Sequence, residues 1–151
     1  MAGCDRCSMC CKVIQIADPD LEKPANVWCK HCTKPGCGIY TARPKPCIDY
    51  ACVWLQSQDD VHPLSLSFRP DKCHVVIDIT EDNVFAICRV DPNYPSALNM
   101  PEMQIWIRVL ATHHSVISII GRKRTIISLT EPGRKKLQEL GFNDKDKVWY
   151  E

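Results

Sequence analysis

Nine of the eleven cysteines in this 151-residue chain fall before residue 53. They come in a fixed rhythm: Cys4-x2-Cys7-x2-Cys10-Cys11, then Cys29-x2-Cys32-x4-Cys37, then Cys47-x4-Cys52. No other feature constrains the fold as much. A segment this dense in thiols has few apolar side chains left with which to build a core. A C-x2-C pair, by contrast, brings two soft thiolates to one metal from a single turn. The spacing predicts a metal-nucleated N-terminal module in which metal binding supplies much of the folding energy.

Disulfides are the competing use of so many cysteines. The N-terminus Met1-Ala2-Gly3-Cys4 lacks a charged n-region followed by an apolar h-region. The chain is therefore expected to be cytoplasmic, where thiols stay reduced and C-x2-C patterns serve metals or redox chemistry. The odd count of eleven also fits poorly with complete pairing. No run of eighteen apolar residues exists, so no membrane-spanning helix is expected. The net charge of +1 supplies no general attraction for nucleic acid.

Along the chain, residues 1–56 form the cysteine-rich metal-binding module, 57–71 a polar linker with two prolines, and 72–151 a small α+β module. In the first, a short helix is expected to start at Cys10, and another to span 47–57. In the last, the β-branched runs 73–80 and 84–90 read as a hairpin joined by Glu81-Asp82-Asn83. A helix follows from Met100 to about His113, with a capping box at Asn99 and Glu102. Its expected inner stripe is Ile105, Trp106, Val109 and Leu110. Strands at 115–120 and 125–129 and a helix from Glu131 to Leu140, stopped by Gly141, complete a ββαββα order. The fold class is thus α+β, an irregular metal-nucleated cysteine-rich module joined to a ββαββα layer.

The cysteine run, together with Gly38-Ile39-Tyr40-x2-Arg43-Pro44-x2-Cys47 and Tyr50-x-Cys52-x-Trp54, resembles the CxxCxxCC cysteine-cluster family, described as a zinc- or iron-chelating domain. The likeness covers residues 4–55 and extends to a bacterial branch through the Arg69–Cys73 element. It implies that Cys4, Cys7, Cys10, Cys11, Cys29, Cys37, Cys47 and Cys52 are metal ligands. The C-x2-C spacing adds Cys32. Tyr40 and Arg43 are candidate donors to the bound thiolates from outside the ligand set.

Two centres are physically open. A [4Fe-4S] cluster takes four thiolates, and Cys4-x2-Cys7-x2-Cys10 matches the first three ligands of a bacterial ferredoxin. Alternatively the cysteines divide among tetrahedral Zn2+ sites. Adjacent Cys10 and Cys11 diverge, so both serve only if two metals, or two irons of one cluster, lie nearby. The centre is expected to be mainly structural, with two other roles open: an electron-transfer protein, or an interaction subunit that docks a protein partner at its C-terminal sheet. Cys73 and Cys88 read as small buried apolar residues, not ligands. His31, inside Cys29-x2-Cys32, reads as a solvent-facing loop histidine. No nucleophile–base pattern or hydrolase motif occurs, so no catalytic residue is assigned. The basic turn Gly121-Arg122-Lys123-Arg124 reads as a solvated hairpin, not a nucleic-acid site.

Overall fold

The computed structural model describes residues 7–33, 36–143 and 145–150. Its N-terminal elements are short, as a cysteine-dense, proline-punctuated sequence dictates. Helix α1 is a single turn, Cys10–Val13. Strands β1 (Ile16–Asp18) and β2 (Leu21–Lys23) form a hairpin whose turn is tightened by the Asp20 amide donating to Asp18 Oδ1 at 3.0 Å. Strands β3 (Cys32–Thr33) and β4 (Gly36–Cys37) pair antiparallel, with Cys32 opposite Cys37.

The single helix expected over 47–57 is two. Helix α2 (Lys45–Asp49) and helix α3 (Val53–Ser57) are separated by extended backbone at Tyr50 and Cys52. The break turns both side chains towards the sheet, where the Tyr50 hydroxyl donates to Asp78 Oδ1. A continuous helix would have to give up that bond. The polar 57–71 stretch, expected as a linker, carries the start of helix α4 (Pro70–Cys73), and its Phe68 packs against the sheet core.

A five-stranded sheet follows in spatial order β5 (Val75–Ile79), β6 (Phe85–Val90), β7 (Ser115–Ile120), β8 (Lys123–Ser128) and β9 (Val148–Tyr150). All neighbours are antiparallel except β6 and β7. That parallel pair needs a crossover, which carries helix α5 (Pro101–Ala111). Helix α6 (Glu131–Glu139) lies between β8 and β9. The mixed helix and strand content is that of an α+β chain, and the expected ββαββα order is present with β9 added.

Side chains alternate between faces along a strand, and here both faces are covered. On one, Val75, Ile77, Ala86, Cys88, Val90 and Val116 pack with Met103, Ile107 and Leu110 of α5. On the other, Leu137 of α6 covers Phe85, Ile117 and Ile126, while Met9 and Val13 of the cysteine-rich segment cover Val76. The segment expected to be metal-nucleated therefore shares a core with β5.

Helix α5 corrects two expectations. Of the expected stripe, Leu110 is buried and Trp106 packs half-buried against the sheet core, but Ile105 is 61% exposed and Val109 46%, and Met103 and Ile107 complete the buried face instead. Apolar residues surround this helix, so periodicity alone does not say which side meets the sheet. The capping box is also not formed. Pro101 occupies the first turn, Met100 is the N-cap without a side-chain bond, and Asn99 ends a 3-10 turn, Ala97–Asn99. Helix α6 ends as expected. Gly141 adopts φ +84°, its amide donates to Gln138, and the Phe142 amide donates to Leu137 at 2.9 Å, the double bond of a Schellman stop. Phe142 then packs on Trp149 of β9, ring centres 5.2 Å apart.

Candidate metal centre

Backbone bonds, one of them long-range, gather the N-terminal cysteines. The Cys29 amide donates to the Cys11 carbonyl at 2.9 Å, and the Cys32 amide to the Cys29 carbonyl at 2.9 Å. The His31 amide points at Cys29 Sγ at 3.5 Å, and the Gly38 amide closes the knuckle on the His31 carbonyl at 2.8 Å.

The result is one cavity of about 670 Å3 lined by Cys7, Cys10, Cys11, Cys29, Cys37, Cys47 and Cys52. Its other walls are mostly apolar and include Ile14, Ile16, Leu21, Ile39, Tyr50 and Val76. Cys32 packs beside it with Cys11, Cys29 and Cys47 around Ile16 and Leu21. Cys4 lies outside the described residues. Eight of the nine cysteines singled out by spacing and resemblance are thus brought to one region. Among the described residues, no three of the His, Cys, Asp and Glu side chains converge on a single point at metal-ligand distance. The donor set fits thiolate ligation by its chemistry, and the sulfurs stand around a space larger than one ion requires.

Sequence reasoning missed the buried cation beside this cavity. Lys23, on β2, is 3% exposed. Its Nζ donates to three carbonyls, Lys12 at 3.0 Å, Pro24 at 2.8 Å and Val27 at 2.9 Å. Burial lowers its pKa, opposed by the negative potential of Cys29, Cys11, Cys10 and Cys47. A lysine in a Leu-Glu-Lys-Pro turn carries no sequence signal of burial; only the hairpin pairing turns it inward. It places a cationic side chain beside the cysteine-lined cavity. The Cys11 thiol is pushed down to about 6. Hydrogen bonds from the Cys10 and Cys32 thiols lead, against burial, with Lys23 and Arg43 adding charge. Burial pushes Cys7 up to about 11, and raises Cys32 and Cys47.

Tyr50 was also unassigned by sequence. Its hydroxyl and Arg89 Nη1 both donate to the Asp78 carboxylate, so the wall of the cavity is pinned to β5 and β6. Burial, then the Asp78 charge, raises the Tyr50 pKa and keeps the hydroxyl protonated as a donor. Tyr40 and Arg43 line the mouth. The Arg43 guanidinium lies 3.8 Å over the Tyr40 ring. Its Nε donates to the Tyr40 carbonyl at 2.8 Å and its Nη1 to the Cys47 carbonyl at 3.4 Å. Arg43 thus braces the backbone of the Cys47 turn.

Cys73 and Cys88 stay apart from the cavity, both buried among core residues. Burial raises them to about 11 and about 12. Cys73 Sγ donates to the Phe68 and Val75 carbonyls at 3.4 Å each. Replacing Cys88 by serine puts a hydroxyl in a dry site and is expected to cost about 1–3 kcal/mol. Metal content should not change, and elemental analysis of that variant checks it.

No family profile, curated protein or solved structure matches this chain. The site's own chemistry therefore carries the functional reading. On helix α6, Lys136 pairs with Asp82 and Arg134 lies 3.7 Å from Glu131. Among the described residues no helix is long and apolar enough to cross a membrane.

Proposed function

We propose that this chain is a metal-binding protein whose thiolate-ligated centre is mainly structural, with an iron–sulfur cluster favoured and zinc the alternative. The observation that carries the reading is the gathering of seven cysteines around one apolar-walled cavity with a buried ammonium at its side. Seven thiols facing a common space with no ligand would be an unfavourable arrangement. Their deprotonated forms repel, and their neutral forms give little packing in return for excluding aliphatic side chains. The spread of seven thiols around the cavity favours a polynuclear centre or several metals over one ion. Ligands to a single zinc must all lie near ~2.3 Å from it.

An iron–sulfur cluster would supply ligand bonds that cross-link the loops, and, where solvent and charge permit, one-electron chemistry. The chain's own residues gather the thiolates, balance their charge through Lys23 and exclude water through Ile14, Ile16, Leu21 and Val76.

Anaerobic purification followed by iron, zinc, acid-labile sulfide and visible-absorption measurements tests this. A brown protein with iron and sulfide supports the cluster; a colourless one with stoichiometric zinc supports the alternative. Protein carrying neither metal after anaerobic isolation from metal-replete cells sinks the reading. Metal removal is expected to release the amides of Cys29 and Cys32 to rapid hydrogen exchange, while amides of β6, β7 and β8 stay protected. Equal protection of the two sets before and after chelation would show that the metal does not hold this half together.

A further inference from the structure

Helix α5 packs one side on the sheet through Met103, Ile107 and Leu110 and leaves the other bare. Glu102, Ile105, Arg108, Val109 and Thr112 are all exposed, and spacings of three and four residues set them on one stripe. Ile105 lies at its centre. Ile105 and Val109 gain little burial there, and as β-branched residues they lose side-chain freedom in a helix. The two charges on the stripe are arranged about Ile105. Glu102 stands three residues before it and Arg108 three after, about 4.5 Å to either side along the axis at a rise of about 1.5 Å per residue. The two are too far apart in sequence to pair on one helix face. Among the described residues, neither side chain has an ion pair or hydrogen bond of its own. Turned end for end, the stripe therefore matches itself.

We propose that the exposed stripe of α5 docks a second copy of this chain, the two helices antiparallel about a two-fold axis at Ile105. A two-fold interface is self-complementary: if one residue meets another, the reverse contact forms as well. Here Ile105 meets its own copy at the axis, and exposed Pro101 comes level with Val109 of the second copy. Glu102 of each copy comes level with Arg108 of the other, within reach of two long side chains, so two ion pairs flank the apolar centre. A parallel arrangement would set Glu102 against Glu102 and Arg108 against Arg108, and like charges placed together are disfavoured. A stripe with one charge of each sign also gives no net attraction to an acidic or a basic partner. Helix α5 is only about three turns long, so the face is smaller than a standard interface and the dimer is weak and concentration-dependent. No residue of α5 lines the cysteine cavity, so this surface is independent of the metal-binding reading.

Sedimentation equilibrium of the full chain, purified anaerobically, tests this over a range of concentrations. The native protein is expected to pass from monomer to dimer as concentration rises. Ile105→Asp, which would bury two carboxylates against each other at the axis, should abolish the dimer. Glu102→Arg alone and Arg108→Glu alone each set like charges together at both ends, and each should weaken the dimer about tenfold or more. The double variant carrying both reversals restores opposite charges and should recover the native dissociation constant. These positions are exposed, and unchanged exchange protection in β6, β7 and β8 shows that each variant is folded. A native chain that stays monomeric at its highest soluble concentration overturns the proposal, even if some other protein binds this face. A dimer that the three single variants leave unchanged lies elsewhere on the molecule and also overturns it. A double variant no tighter than either charge reversal alone rules out the antiparallel pairing. Metal content should be the same in every variant, so the metal-binding reading stands or falls separately.

Discussion

Replacing Asp91 by alanine should destabilise the protein by about 3–5 kcal/mol, the cost of leaving a buried ammonium without its counter-ion. Asp91 follows β6 directly and is 2% exposed. Its Oδ1 accepts from Lys12 Nζ at 2.7 Å and from the Asn93 amide at 3.0 Å. Lys12 is equally hidden, and its ammonium lies 5.5 Å over the Trp28 ring. It belongs to α1, one residue after Cys11, so this pair ties the start of the cysteine-rich segment to the far end of a core strand. Breaking it should loosen the cavity as well as lower stability. Denaturant unfolding of Asp91→Ala measures the first effect, and metal retention during chelator challenge measures the second. An Asp91→Leu, Lys12→Met double variant removes both charges and should recover most of the lost stability, since the penalty lies in the orphaned charge. A cost below about 1 kcal/mol for Asp91→Ala is the value of a solvated surface pair, and would place water at this contact.

Gly133→Ala is expected to be the second large loss, opposite in sign to helix propensity. In an exposed helix interior the change gains about 1 kcal/mol. Here a Cβ would stand 1.9 Å from Ser115 Oγ and 2.7 Å from Ser115 Cβ. Ser115 cannot yield easily. It is fully buried, its Oγ accepts from the Thr130 amide at 2.8 Å, and it bonds the Thr130 hydroxyl at 2.9 Å. Thr130 is in turn the N-cap of α6, accepting from the Gly133 amide. The substitution therefore pushes α6 off β7 and strains its own cap. Overpacking of this kind costs about 1–3 kcal/mol or more. Thermal unfolding of Gly133→Ala, and of Gly133→Ala with Ser115→Gly, checks it. The second change removes both clashing atoms and should restore part of the loss. A Gly133→Ala variant as stable as the native protein would mean that the helix can shift at little cost.

Much of the C-terminal order was legible in the residues because it rests on local signals. β-branched runs mark β5 to β8, and Gly141 with Phe142 marks the end of α6. What was misread depends on packing between distant segments. Half of the inner face of α5 escaped, with Ile105 and Val109 expected where Met103 and Ile107 lie, because apolar residues surround that helix. The break between α2 and α3 escaped because its cause, the Tyr50–Asp78 bond, spans twenty-eight residues. Strand β9 escaped because Val148–Tyr150 is short and pairs only with an edge already formed by β8.

The candidate centre divides in the same way. Spacing alone determined which residue type matters and where: thiols before residue 53, in pairs close enough to share a metal. Chain geometry is local over two or three residues, so a C-x2-C pair carries its meaning wherever it lies. Only the tertiary structure decided that these cysteines line one cavity and that Lys23 is buried beside it. Those facts depend on the β1–β2 hairpin and on Val76 of β5, whose positions follow from contacts between segments far apart in the chain and have no counterpart in any short stretch of residues.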